Sequence, residues 1–161
     1  MPKLLLRLLL VGLVGLLVAC GGSEKEAQEP VQFTNVTMTL FRPFATGEYV
    51  FRSRVELDSA LSAAPFRVFP IGLVLTEPPI PDWDFQSSMI VGLSLGLGAW
   101  CTAPRIIEVL SDGTSMVVRY EVWSSGTLAC MKLAPLIAFV QVPQVAGPVE
   151  FRRIDVTPNS L

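Results

Sequence analysis

Apolar residues recur in two different rhythms along the chain, and most of the length follows the two-residue rhythm of strands. Phe33 to Leu40 alternates Phe, Asn, Thr, Thr against Thr, Val, Met, Leu, which predicts a strand with one buried face. Glu48 to Arg52 predicts a second, short strand. The rhythm then changes. Ser53-Arg54-Val55-Glu56 fits a capping box, with Ser53 as N-cap and Glu56 three residues on. Val55, Leu57, Leu61 and Ala64 follow at spacings that suit one short helix, ended before Pro65. Phe66 to Thr76 is apolar and β-prone but interrupted at Pro70. Glu77 to Pro81 holds three prolines in four positions and predicts a stiff extended loop.

Strand signals strengthen beyond that loop. Met89-Ile90-Val91-Gly92-Leu93-Ser94-Leu95 is an apolar run of strand length, the mark of a central strand buried on both faces. Gly96-Leu97-Gly98-Ala99-Trp100 predicts a glycine-rich turn. Ile106 to Leu110 and Met116 to Trp123 flank Ser111-Asp112-Gly113-Thr114, and Asp-Gly between β-branched runs predicts a hairpin. Leu136 to Val142 and Val149 to Val156 supply two closing strands, with Arg152 and Arg153 on a solvated edge. The predicted fold class is α+β, mainly β: an antiparallel sheet or small β-sandwich-like domain with one short helix.

The N-terminus reads differently. Lys3 and Arg7 precede the uncharged stretch Leu8 to Ala19, twelve residues against the roughly 20 that a membrane-spanning helix needs. Leu17-Val18-Ala19-Cys20 resembles the lipobox of bacterial lipoprotein signal peptides. That resemblance implies cleavage before Cys20, acylation of Cys20 and attachment of the protein to a membrane of the cell envelope. Gly21 follows, with no aspartate, which in a Gram-negative host favours the outer membrane. Residues 1–19 are then the signal, 20–32 a polar, acidic, lipidated tether, and 33–161 the folded domain. Fourteen of the first 19 residues are apolar, so the signal explains part of the chain's 51% apolar content.

Export places the domain where disulfides persist. With Cys20 lipidated, Cys101 and Cys130 remain as an even pair, and a bridge between them is expected; two separately buried thiols are the alternative. Closing a loop of about 30 residues would stabilise the fold by roughly 3–4 kcal/mol in the chain-entropy model.

The chain of 161 residues contains no histidine, which excludes Ser-His-Asp and Cys-His catalysis and His-ligated zinc. Asp82 and Asp84 straddle Trp83 without a visible third acidic ligand, so they read as a solvated loop and not as a calcium site. Gly96 and Gly98 lack the Gly-Lys-Ser/Thr continuation of a phosphate loop. No metal and no cofactor is implied. Without Lys3 and Arg7 the basic residues number 10 against 14 acidic, so the electrostatic footprint of nucleic-acid binding is missing. Trp83, Trp100 and Trp123 read as core or rim packing, and as candidate partner-binding residues where exposed. Trp100, beside a cysteine in a glycine-rich segment, is the foremost of them.

From Glu48 to Arg153 the order of signals resembles the C-terminal domain of the protease-complex subunit PrcB and its small bacterial relatives. The resemblance rests on the capped helix after Phe51, on Asp82-Trp83-Asp84-Phe85, and on Met89-Ile90-Val91 running to Gly96. The Asp112-Gly113 hairpin, then Cys130, Pro135 and Gly147-Pro148-Val149-Glu150-Phe151 complete it. Relatives carry a Pro-Thr-Gly-Gly-Tyr type loop where this chain has Leu97 to Pro104. The resemblance implies a non-catalytic domain that binds another protein, in association with an envelope protease complex. A small-molecule or glycan binder using tryptophan platforms is the alternative.

Overall fold

The computed structural model describes residues 28–64, 79–99, 101–124 and 133–155. Its centre is β4 (Ser88–Ala99), buried without interruption from Met89 to Ser94, as an apolar run flanked on both faces requires. β4 pairs antiparallel with β3 (Gly47–Phe51) on one side and β7 (Leu133–Pro143) on the other. The two-residue β2 (Thr34–Asn35) completes the sheet in the order β2-β7-β4-β3. A second sheet has the order β1-β5-β6-β8, from β1 (Glu29–Pro30), β5 (Thr102–Ser111), β6 (Met116–Ser124) and β8 (Val149–Arg153). The fold is α+β and mainly β, a sandwich with one helix, α1 (Arg54–Ala63), among the described residues.

Alternation along β4 and β7 divides the interior into two cores. Met89, Val91, Leu93, Ala138, Val140 and Val142 face the second sheet and meet Ile106, Val109, Met116 and Val118. Ile90, Ile137 and Phe139 face the other way, onto Leu57 and Leu61 of α1 and onto Val36, Leu40 and Phe44. The helix starts as its capping box dictates. The Ser53 hydroxyl accepts the Glu56 N–H at 3.3 Å, and the Glu56 carboxylate reaches back to the Arg52 N–H. Leu57, Leu61 and Ala64 are buried in the core with Ala60 half-buried beside them; Val55, grouped with the first three in the sequence, is 78% exposed.

Several expectations need correction. The strand predicted for Phe33 to Leu40 stops at Asn35, whose side-chain carbonyl accepts the Thr37 N–H at 2.9 Å and turns the chain. Leu40 N–H then bonds the Val36 and Thr37 carbonyls in a helical turn. There Val36 and Leu40 share a buried face while Met38, expected on it, is 72% exposed. The glycine-rich turn predicted at 96–100 continues β4 to Ala99, with a bulge between Ser94 and Leu97 and Gly96 at φ +83°. The sheets are not wholly antiparallel, because β8 runs parallel to β6. The tether predicted for 20–32 ends earlier. Glu29–Pro30 pairs with Leu110–Ser111, and the Val31 N–H bonds the Val109 carbonyl. Residues 65–78, which include the β-prone stretch after Pro65, lie outside the described residues, as do residues 125–132.

The hairpin at Asp112-Gly113 forms as predicted, with Gly113 at φ +82°. The Asp112 carboxylate accepts the hydroxyls and backbone N–H groups of both Thr114 and Ser115 at 2.6–2.8 Å. These bonds, the Ser115 hydroxyl foremost, hold its pKa well below the usual carboxylate range. A carboxyl with a depressed folded pKa stabilises fully above its unfolded pKa, near 3.9, and that stabilisation is lost as pH falls through the acid range below it. Asp112→Ala will therefore lower Tm at pH 7 and flatten the decline of Tm between about pH 5 and pH 2. Equal acid losses in the two proteins would show that the turn does not contribute in this way.

Candidate functional site

At one end of the sandwich the two sheets leave a groove of about 460 Å³. One wall is the first half of β5, from Thr102 to Ile106, with Trp123 beside it on β6. The opposite wall is the first half of β7, from Ala134 to Ala138. Met38 and Phe41, from the turn after β2, close one end. Ile106, Ala138 and Val140 belong to the core between the sheets, so the groove opens directly onto that core.

Trp123 pairs across the ladder with Ala103 and is 46% exposed. Met38 is more exposed still, and Leu133 at the start of β7 is 65% exposed. Large apolar side chains held in water beside a concave apolar surface are characteristic of sites that other molecules cover. Arg105 is the one charged residue among the described residues of the lining. Its guanidinium lies 3.5 Å from Glu121, and its side chain is 62% exposed, so water weakens that ion pair.

Trp83 stands elsewhere. It is half-buried against the helix-side core, and it borders a shallow open hollow with Arg52, Arg54 and Asp84. The structure thus separates Trp83 from Trp123 instead of assembling a platform from them; Trp100 lies outside the described residues. Asp84 serves its own loop. Its carboxylate accepts the Gln86 N–H at 2.9 Å and the Ser87 hydroxyl at 2.6 Å, and its pKa is lowered chiefly by the Ser87 bond. Among the described residues no group of three Cys, Asp or Glu side chains is placed to hold a metal ion. Gly98 is packed beneath Leu136, where a Cβ would collide with the leucine side chain, so its place in the Gly-x-Gly pattern is a matter of sheet packing.

Cys101 is disulfide-bonded. Cys20 and Cys130 lie outside the described residues, and no helix among the described residues is long and apolar enough to cross a membrane. Sequence reasoning named Trp123 but missed Met38, Arg105 and Leu133. Met38 looked like a core residue by alternation, and the other two carry no local signal of any kind. No family model, curated protein or solved structure matches the chain.

Proposed function

We propose that this protein is a non-catalytic, lipid-anchored component of the bacterial cell envelope that binds another protein through the groove beside Trp123. The anchor rests on the lipobox-like Leu17 to Cys20, and Cys130 is the proposed bridge partner of Cys101. The reading rests on one observation above the others: Trp123 and Met38 remain exposed at the rim of a largely apolar groove in which Arg105 is the one charge among the described lining residues. Tryptophan is among the residue types most enriched at the few positions that dominate protein–protein affinity, once a partner covers it. The PrcB-like order of elements adds the proposal that the partner belongs to an envelope protease complex.

The groove's volume also lies within the range of small-ligand sites, which supports a second reading, a small molecule or glycan stacked on Trp123. Photocrosslinking in cells separates the two. A benzoylphenylalanine at position 123 will form an adduct larger by the mass of a polypeptide, whereas the same probe at Val55, on the exposed face of α1, will not. An absent adduct at 123, or equal adducts at both positions, would count against a protein partner at this groove.

A further inference from the structure

The groove is bounded by two strand edges that no other strand covers among the described residues. In an antiparallel ladder successive residues turn their N–H and C=O alternately to one neighbour and to the other. The Phe139 N–H donates to the Thr37 hydroxyl at 3.0 Å, and its carbonyl accepts the Val36 N–H at 3.0 Å, so Phe139 faces away from β4. Two-residue alternation then turns Ile137, Pro135 and Leu133 to the same outer side. On the second sheet, the Tyr120 carbonyl accepts the Ile154 N–H and so faces away from β5. Ile106, paired with Tyr120, therefore faces outward, as do Pro104 and Thr102. The positions of the two prolines agree with this assignment, because a proline in a strand is tolerated where its missing N–H would face an edge.

Resting on the protein-binding reading, we propose that the β7 edge from Leu133 to Ile137 accepts an extended segment of a different polypeptide as an added strand. The segment would be apolar at alternate positions and carry a carboxylate near Arg105. The protein's own chain already uses these edges: β1 lies on β5 and β2 on β7, each for two residues. After β2 the Thr37 hydroxyl takes both main-chain groups of Phe139 and the chain turns away, so among the described residues no strand pairs with the next stretch of β7, whose outer side borders the groove. β7 is the better acceptor of the two edges, because β5 is bulged between Ile106 and Glu108, and bulges obstruct edge pairing. Side chains of an added strand that point inward would meet Ile106, Leu136 and Ala138. Arg105, the one cation among the described lining residues and only loosely held by Glu121 at 3.5 Å, complements an acidic residue.

A second copy suits this edge poorly. Twofold pairing of β7 with itself puts two Pro135 residues in the new ladder, and each removes one donor. A partner strand of ordinary residues loses only one. Added-strand recognition takes its affinity from main-chain bonds and its specificity from alternate side chains.

The test is selection of a displayed library of random nonapeptides on the purified full-length chain. Enriched peptides are expected to alternate apolar and polar residues and to contain Asp or Glu. Methylating alternate backbone nitrogens of a selected peptide, in the set that faces β7, will weaken binding at least roughly tenfold; methylating the intervening set will change it by less than about twofold. Leu133→Pro, at an exposed side chain whose main chain faces outward, will weaken binding by roughly tenfold, and Leu133→Ala by less than about twofold. The Ile137 amide will gain protection from hydrogen exchange. Selected peptides indifferent to both N-methyl sets would overturn strand addition, whatever Leu133→Pro does to folding. Absence of any enriched peptide, with a polypeptide still captured at position 123, would refute the added strand and leave protein binding standing. Absence of both would remove the two together.

Discussion

Replacing Phe139 by alanine will cost the fold about 3–5 kcal/mol and lower Tm by at least about 10 °C. The ring is fully buried at the midpoint of β7, where it meets Phe44 at a centroid distance of 5.0 Å, Tyr49 at 5.9 Å and Phe51 at 6.1 Å. It therefore joins the loop after β2, the edge strand β3 and the central strand β4 in a single cluster, and its removal leaves a cavity bordered by three other rings. The same residue's backbone holds the turn at Val36 and Thr37, so collapse of the cavity would pull on the wall of the groove. Urea denaturation of the variant should shift the midpoint without changing the slope. Val55→Ala, which removes methyl groups from a helical valine in water, should stay within about 0.5 kcal/mol of the parent. A loss below about 1.5 kcal/mol for Phe139→Ala would mean that the aromatic cluster is not the organising core of this face.

Gly92→Ala is expected to be nearly as damaging, at or above the upper end of the roughly 1–3 kcal/mol range for overpacking. Gly92 sits opposite Phe139 in the β4–β7 ladder, and a Cβ there would overlap both the Phe139 ring and the Ala138 carbonyl. The ring can shift; the carbonyl belongs to the central ladder and cannot. The two substitutions should therefore be non-additive. With Phe139 already alanine, Gly92→Ala loses its ring clash and keeps only the backbone clash, so its cost should fall by about 0.5–3 kcal/mol. Equal costs in the two backgrounds, measured by a double-mutant cycle, would show that the glycine is not there to make room for the ring.

The residues that were legible in advance are those whose physics is local. Asp112-Gly113 specified its hairpin because the turn needs a positive φ and a side chain that can satisfy its own backbone, and both are properties of those two residues. Ser53 and Glu56 marked the start of α1 for the same kind of reason. The run from Met89 announced a strand buried on both faces because both of its alternating sets of side chains are apolar up to Ser94, whose hydroxyl is buried on the Phe44 carbonyl. Met38 was misplaced by a local competitor: Asn35 offered the Thr37 N–H a bond that ended the strand, and the change of period carried Met38 from core to surface. Gly96 to Ala99 looked like a turn because glycine permits turns. Its actual use, a bulge at Gly96 and the seating of Leu136 over Gly98, depends on β7, nearly forty residues along the chain.

The candidate site was less legible than the fold. The sequence named all three tryptophans and put Trp100 first for its glycine-rich surroundings, but an indole carries no mark of its own exposure. Packing on the helix-side core took Trp83 out of contention, and a place near the end of β6 left Trp123 at a rim.

The amino-acid sequence by itself determined the sheet-rich composition, the capped helix, the hairpin and a domain without histidine chemistry, because each follows from propensity, period or residue type within a few neighbours. Tertiary structure alone decided the groove, the two strand edges left unpaired there among the described residues and the parallel placement of β8. A tie across the fold accompanies that placement: Arg52 bonds the carbonyls of Val145 and Gly147, and the Gly147 N–H bonds Thr114 at the hairpin. β5 and β7 start some thirty residues apart, and nothing in either segment says that their outer edges will border one groove. That meeting is a property of how two sheets stack, and it exists only once both have formed.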